Sequence, residues 1–236
     1  MRRPLLIAAA ALFMSLAVKA QKERETIEGN GNLVTKDIPV SSFELLKASG
    51  VYELKLLQGA TESVKIEADE NLHQYFTVRN DGKTLVIDMK GTNNKNMKLK
   101  NKLRVYVSFK KLKGLDLSMV GDVKADAALS FADLDIENNS VGKVELDFSA
   151  TTLKLKNNSV GKMKLSGKAE NAVVKHNGVG SLDAGSLVVQ TMDIDNSGVG
   201  GAEVNAAKEL KVTDNMLGKV KNKGTAPAKR NNKVVI

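Results

Sequence analysis

The sequence predicts an all-β protein of two lobes. The second lobe is a stacked-strand, right-handed β-helix with rungs of about 19 residues. Three observations carry this. The hexapeptide "NNSVGK" stands at 138–143 and again at 157–162, with looser copies at 176–181, 196–201 and 214–219 and a degenerate "MVGD" at 119–122. The residues on either side of each copy alternate apolar and polar, the period of a strand. No aromatic residue lies beyond Phe148, as a solenoid too narrow for large rings requires.

The chain opens with Arg2 and Arg3, an apolar run from Leu5 to Val18, and the small residues Val18 and Ala20 at the −3 and −1 positions. That is the pattern of a signal peptide, 1–20, cleaved between Ala20 and Gln21, and the run is too short for a comfortable membrane span. Losing Arg2, Arg3 and Lys19 lowers the formal charge from +9 to +6. There is no cysteine, which excludes disulfides, thiolate metal sites, a cysteine nucleophile and a lipidated N-terminal cysteine. The expected location is secreted or periplasmic, and the protein is not expected to be a lipoprotein.

Residues 21–28 read as a flexible linker and 29–114 as an N-terminal β lobe. "VYELKLL" at 51–57, "SVKIEA" at 63–68, "TLVIDM" at 84–89 and "KLRVYVSF" at 102–109 alternate as strands, and "RNDGKT" holds an Asp-Gly hairpin turn. Asn71 to Gln74 offers at most one helical turn. The stretch 90–102 has five lysines and no acid, and reads as a mobile basic loop.

The repeat lobe spans 115–224. Lines starting at Leu115, Leu134, Leu153, Ala172, Met192 and Leu210 align, and a second inward column holds Leu117, Ile136, Leu155, Val174, Ile194 and Val212. Beyond the turn, Val123, Val144, Met163, Leu182, Ala202 and Val220 form a third. In-register parallel strands need such columns, because each side chain rests on its equivalent one rung away. The outward column Lys124, Glu145, Lys164, Asp183, Glu203, Lys221 mostly alternates in sign, as do Asp135/Lys154 and Glu137/Lys156, which favours this register over others. The column glycines Gly121, Gly142, Gly161, Gly180, Gly200 and Gly218 mark sharp turns, and the Asn and Ser before them can stack as an amide ladder. No helix follows any of these glycines, so they are punctuation of the fold rather than a phosphate cradle. Asn222 fills a column held earlier by Leu146, Leu165 and Val204. The stack is therefore expected to end near Lys223, with 225–236 as a tail that covers or leaves that end.

"FELLKASGVYELKLLQG", "VKIEADENL" and "GKTLVIDM", followed by the serial "SVGK…L" motifs and "KNKGTAPAK", resemble in order the GIN head domain family of exported proteins from gut-dwelling gram-negative bacteria. The resemblance spans roughly residues 29–230. It implies a bilobed all-β architecture with β-helical stacking. It also implies the label adhesin, given to the family for distant similarity to autotransporter heads, and it carries over no catalytic residue.

Chemistry is sparse. His73 and His176 lie in different halves, match no metal-binding pattern, and read as surface residues. No G-x-S-x-G nucleophile elbow occurs. The acid pairs Asp135/Glu137, Glu145/Asp147 and Asp193/Asp195 have the i, i+2 spacing of two carboxylates on one strand face, the arrangement a β-helical polysaccharide-active enzyme would need. Each lies beside lysines in the same columns, and this half has no aromatic sugar platform. The calcium β-roll repeat is missing, and export argues against nucleic acid. No catalytic, metal or cofactor residue is therefore assigned, and no binding residue. The expected function is an exported, non-enzymatic adhesin-like solenoid. Its candidate contacts are the 90–102 loop and the Asn-rich turn edge, toward cell-surface glycans or envelope components, without a transmembrane anchor. The alternatives are a β-helical polysaccharide-active enzyme and a periplasmic envelope scaffold.

Overall fold

A computed structural model describes residues 25–92, 95–214 and 217–232. The expected signal peptide, its cleavage point and the last four residues lie outside these. Nine strands precede the repeats: β1 (Thr26–Glu28), β2 (Leu33–Ile38), β3 (Leu45–Val51), β4 (Glu53–Gln58), β5 (Ser63–Asp69), β6 (Phe76–Asp81), β7 (Thr84–Met89), β8 (Asn96–Lys98) and β9 (Arg104–Phe109). The repeats supply β10 (Gly114–Val120), β11 (Val123–Ala125), β12 (Leu129–Ser130), β13 (Asp133–Asn138), β14 (Val144–Asn157), β15 (Met163–His176), β16 (Leu182–Asn196), β17 (Ala202–Asp214), β18 (Val220–Asn222) and β19 (Ala228–Asn232). A six-residue 3₁₀ helix, Glu70–Tyr75, interrupts the front. Seventeen of the strands form one sheet wound about one hydrophobic core.

The fold is the expected stacked solenoid. Pairing in the back half is parallel throughout, while the front adds the antiparallel pairs β2–β5, β5–β9 and β6–β7. The sheet crosses from one half to the other: β10 lies parallel on β3 and β11 on β4, so the front contributes rungs of its own. The β6–β7 hairpin closes at Gly82, φ +55°, where the Asp-Gly turn was predicted. Inward columns are as expected from Leu134 onward: Leu134 pairs with Leu153, Leu153 with Ala172, Ala172 with Met192 and Met192 with Leu210.

The first rung corrects the sequence reading. Leu115 stands on Ile136, not on Leu134, and Leu117 stands on Asn138. The cause lies between β11 and β12. Lys124 pairs with Glu145 and Leu129 with Phe148, so Ala125, Asp126, Ala127 and Ala128 occupy the span that Leu146 and Asp147 occupy one rung on. A two-residue insertion preserves the in/out alternation. Hydrophobic pattern alone therefore does not reveal it.

Three further expectations change. Within the segment read as a linker, Thr26–Glu28 is a strand and Ile27 is buried. Within the 90–102 stretch, residues 95–102 are anchored rather than loose. Its β8 pairs with β1, and Lys95, Lys98, Lys100 and Lys102 pair with Glu25, Glu28, Glu28 and Glu53. At the far end, β19 lies in register on β17, Leu210 opposite Ala228, so the last rung, begun by β18, continues past Lys223 to Asn232.

Candidate functional site: the turn edge

Each repeat turns at the same place, and stacking converts the turn into a long edge with an inside and an outside. The inside is polar. Asn138, Asn157, His176 and Asn196 have no exposed surface, and Asp214 is nearly buried. Asn138 donates to Asn157 Oδ1 at 2.8 Å, and Asn157 Nδ2 lies 2.9 Å from His176 Nδ1. Ser140 and Ser159 donate to the amide oxygens of their own turns. His176 Nε2 lies 2.8 Å from the Gly180 carbonyl, and Asn196 reaches the equivalent Gly200 carbonyl at 3.2 Å. The column ends at Asp214, which Arg230 caps at 2.5 Å while also donating to the Val220 carbonyl. Buried polar groups need such partners, so the ladder sets which rung stacks on which.

His176 is thus a core residue, not the surface histidine expected. Burial pushes its pKa below the ordinary value, and the geometry explains its fit. Gly178 replaces the serine of earlier turns, and a Cβ there would lie 3.3 Å from the His176 ring. His73 is partly buried against the Val34 carbonyl.

The turn glycines have two causes. Gly121, Gly142 and Gly161 have φ of +140°, +144° and +142°, a region costly for other residues. Gly180, Gly200 and Gly218 do not. There a side chain is excluded by close stacking instead: a Cβ on Gly180 would overlap the carbonyl oxygen of Gly161, and one on Gly200 that of Gly180.

The outside of the edge carries two parallel lines. One is an amide ladder: Asn158 donates to Asn139 at 2.8 Å and Asn177 to Asn158 at 3.3 Å. The other is apolar. Val120, Val141, Val160, Val179, Val199 and Leu217 occupy one turn position on successive rungs and are 50, 49, 52, 62, 58 and 73% exposed. At about 4.8 Å per rung the ridge is about 24 Å long. Scattered exposed aliphatics are ordinary, but a contiguous line of them is not. All six lie inside the motifs that define the repeat. The signal available in the sequence was their parity: they share the outward phase of Lys124 and Glu145.

The acid pairs do not form a catalytic arrangement. Lys156 holds Glu137 at 2.7 Å, and Lys143 and Lys164 hold Glu145 at 2.7 and 3.3 Å. These lysines lower both carboxyl pKa values, the opposite of what a general acid needs. Asp135, Asp147 and Asp193 are exposed, and Asp195 accepts from Ser197 Oγ. Asp183 and Glu203, the like-charged neighbours of the outward column, take Lys162 and Lys223 as partners. Among the described residues no three His, Asp or Glu converge as a metal site would require.

Residues 42–226 match the family model described as "Putative auto-transporter adhesin, head GIN domain", and the chain belongs to that family. A structure titled a putative adhesin from Bacteroides fragilis is similar, with 23% identity, TM-score 0.73, and coverage of 87% of this chain and 100% of that one. A putative adhesin from Parabacteroides distasonis has 21% identity, TM-score 0.66 and coverage of 88% and 96%. A protein titled a putative lipid binding protein from the same species has 20% identity, TM-score 0.62 and coverage of 88% and 96%. At these identities the likeness is one of fold. No curated protein matches the chain.

Proposed function

We propose that this GIN-head family member is an exported binding protein that turns over no substrate and meets its partner along the turn edge. The observation that carries the reading is the ridge from Val120 to Leu217: exposed, continuous, and spaced by the parallel stack, with the buried polar ladder beneath its middle rungs. A rigid line lets many small contacts add up without a pocket. The family's adhesin label and the similarly titled Bacteroides and Parabacteroides structures support the same reading. The signal segment 1–20 takes the chain across the inner membrane, and release between Ala20 and Gln21 leaves it periplasmic or secreted. Among the described residues no helix is long and apolar enough to cross a membrane. The partner is a cell-surface glycan or an envelope component.

Four of the five lysines in 90–102, Lys95, Lys98, Lys100 and Lys102, pair with acids of the same chain and contribute little to this contact. Binding through the ridge therefore survives salt that screens charges beyond a few ångströms. The test is binding of purified 21–236 to host cells and envelope fractions at about 0.05 and 0.5 M NaCl, beside a depolymerisation screen on uronate-containing polysaccharides. Binding at both salt concentrations with no shortened product supports the proposal. Release of shorter products, abolished by Asp135→Asn or Glu137→Gln, contradicts it.

A further inference from the structure

We infer that a groove on the return side of the stack binds a linear oligosaccharide through its hydroxyl groups. The inference rests on the proposed reading of the chain as an outer-surface binder and assigns that role a second surface. The groove encloses about 850 Å³, within the range of ligand sites. It runs across the rungs from Phe131 to Lys208.

Irregular register opens it. Between the pairs Asp183–Glu203 and Val188–Asn205, Ala184 to Leu187 of β16 stand opposite Val204 alone, so β17 cuts the corner. One step on, Ala207 and Lys208 oppose Gln190 alone, a bulge that re-aims the Lys208 side chain. Such irregularities in an otherwise regular stack accompany sites.

The lining has the chemistry of sugar recognition. Thr151, Glu170, Gln190 and Lys208 stand on successive rungs, with Lys168 beside them, bracketed by the in-register Thr152, Asn171, Thr191 and Glu209. None of these five lining side chains is engaged in a hydrogen bond or ion pair within the described chain. On the opposite edge, by contrast, neighbouring rungs are tied by Lys156–Glu137 and Lys164–Glu145. Glu170 and Lys208 stand on strands two rungs apart, about 9.6 Å, and among the described residues no ion pair joins them. A hydroxyl donates to a carboxylate and accepts from an ammonium, so a chain of hydroxyls serves Glu170, Gln190 and Lys208 in turn. A simple anion would meet Glu170 as a repulsive neighbour, and an apolar ligand would strand every one of these groups. Val188, 41% exposed on the groove wall, offers an apolar surface to the C–H face of a sugar ring.

The experiment is a glycan array with purified 21–236, followed by calorimetry on the best-bound oligosaccharide. It uses three variants: Thr151→Trp, which fills the groove; Glu170→Ala with Lys208→Ala, two exposed side chains whose loss leaves the core intact; and Lys154→Ala outside the groove. Wild type should bind. The two groove variants should bind at least about tenfold more weakly, with unchanged melting for the double alanine variant, and Lys154→Ala should match wild type. If the tryptophan variant fails to fold, the double alanine variant decides alone. Undiminished binding by it would overturn the groove assignment while leaving an outer-surface binder. Absence of any bound glycan would also overturn it, with cell binding along the ridge unaffected.

Discussion

Asn157 Nδ2 lies 2.9 Å from His176 Nδ1, one rung away and fully buried. With Nε2 against the Gly180 carbonyl, the ring is a neutral Nε2–H tautomer that donates to the carbonyl and accepts from the amide. Protonation would turn the acceptor nitrogen into a donor facing another donor.

That relationship makes the fold acid-sensitive. The folded pKa of His176 lies below its unfolded value of 6.5. The unfolded chain then binds the extra proton first, so stability is complete above pH 6.5 and falls as pH drops below it, until the folded pKa is reached. Melting temperature should decline as pH falls from 7 toward 5. His176→Asn should fold and flatten that part of the profile, because Asn196 already makes the equivalent bond to Gly200. An unchanged slope in His176→Asn would assign the sensitivity elsewhere.

Gly180→Ala should cost at least about 2 kcal/mol, since its Cβ meets the backbone of Gly161, which cannot move without shifting a rung. Val179→Ser, one residue earlier and 62% exposed, should leave stability within about 0.5 kcal/mol. Urea titration of both variants separates them.

Leu155 is buried between Ile136 and Val174, whereas Lys156 is exposed beside Glu137. Leu155→Asp should cost at least about 3 kcal/mol through a lost aliphatic side chain and a buried charge. Lys156→Asp should change stability little. Equal loss in the two variants, measured by denaturant midpoint, would contradict the inward assignment.

Arg230 caps the polar column by pairing with the nearly buried Asp214. Arg230→Ala should destabilise by about 1–3 kcal/mol by leaving that carboxylate unpaired. Adding Asp214→Asn should restore much of the loss, because asparagine continues the column without charge. Additive losses in the double variant, by thermal melting, would count against the capping role.

The fold was legible because its core rule is local: Leu134, Leu153 and Ala172 recur with the same phase, and the charge column Lys124–Glu145–Lys164 checks the register independently. Leu115 was misplaced because an insertion of two residues leaves that phase unchanged. His176 was misread because its burial depends on amides stacked above and below it, which lie a full rung away in sequence. The ridge was present in the repeated motif, yet the valine of "SVGK" reads as part of a turn until stacking shows six of them in line. The groove left no sequence signal, since it arises from irregular register between β16 and β17.

The most direct test of binding along the turn edge is adhesion of the triple variant Val141→Ser, Val160→Ser, Val179→Ser, scored against wild type on the same host cells with both proteins shown to be folded. The ridge predicts at least about a tenfold loss of binding with the melting temperature preserved. Wild-type adhesion by a folded triple variant would contradict it.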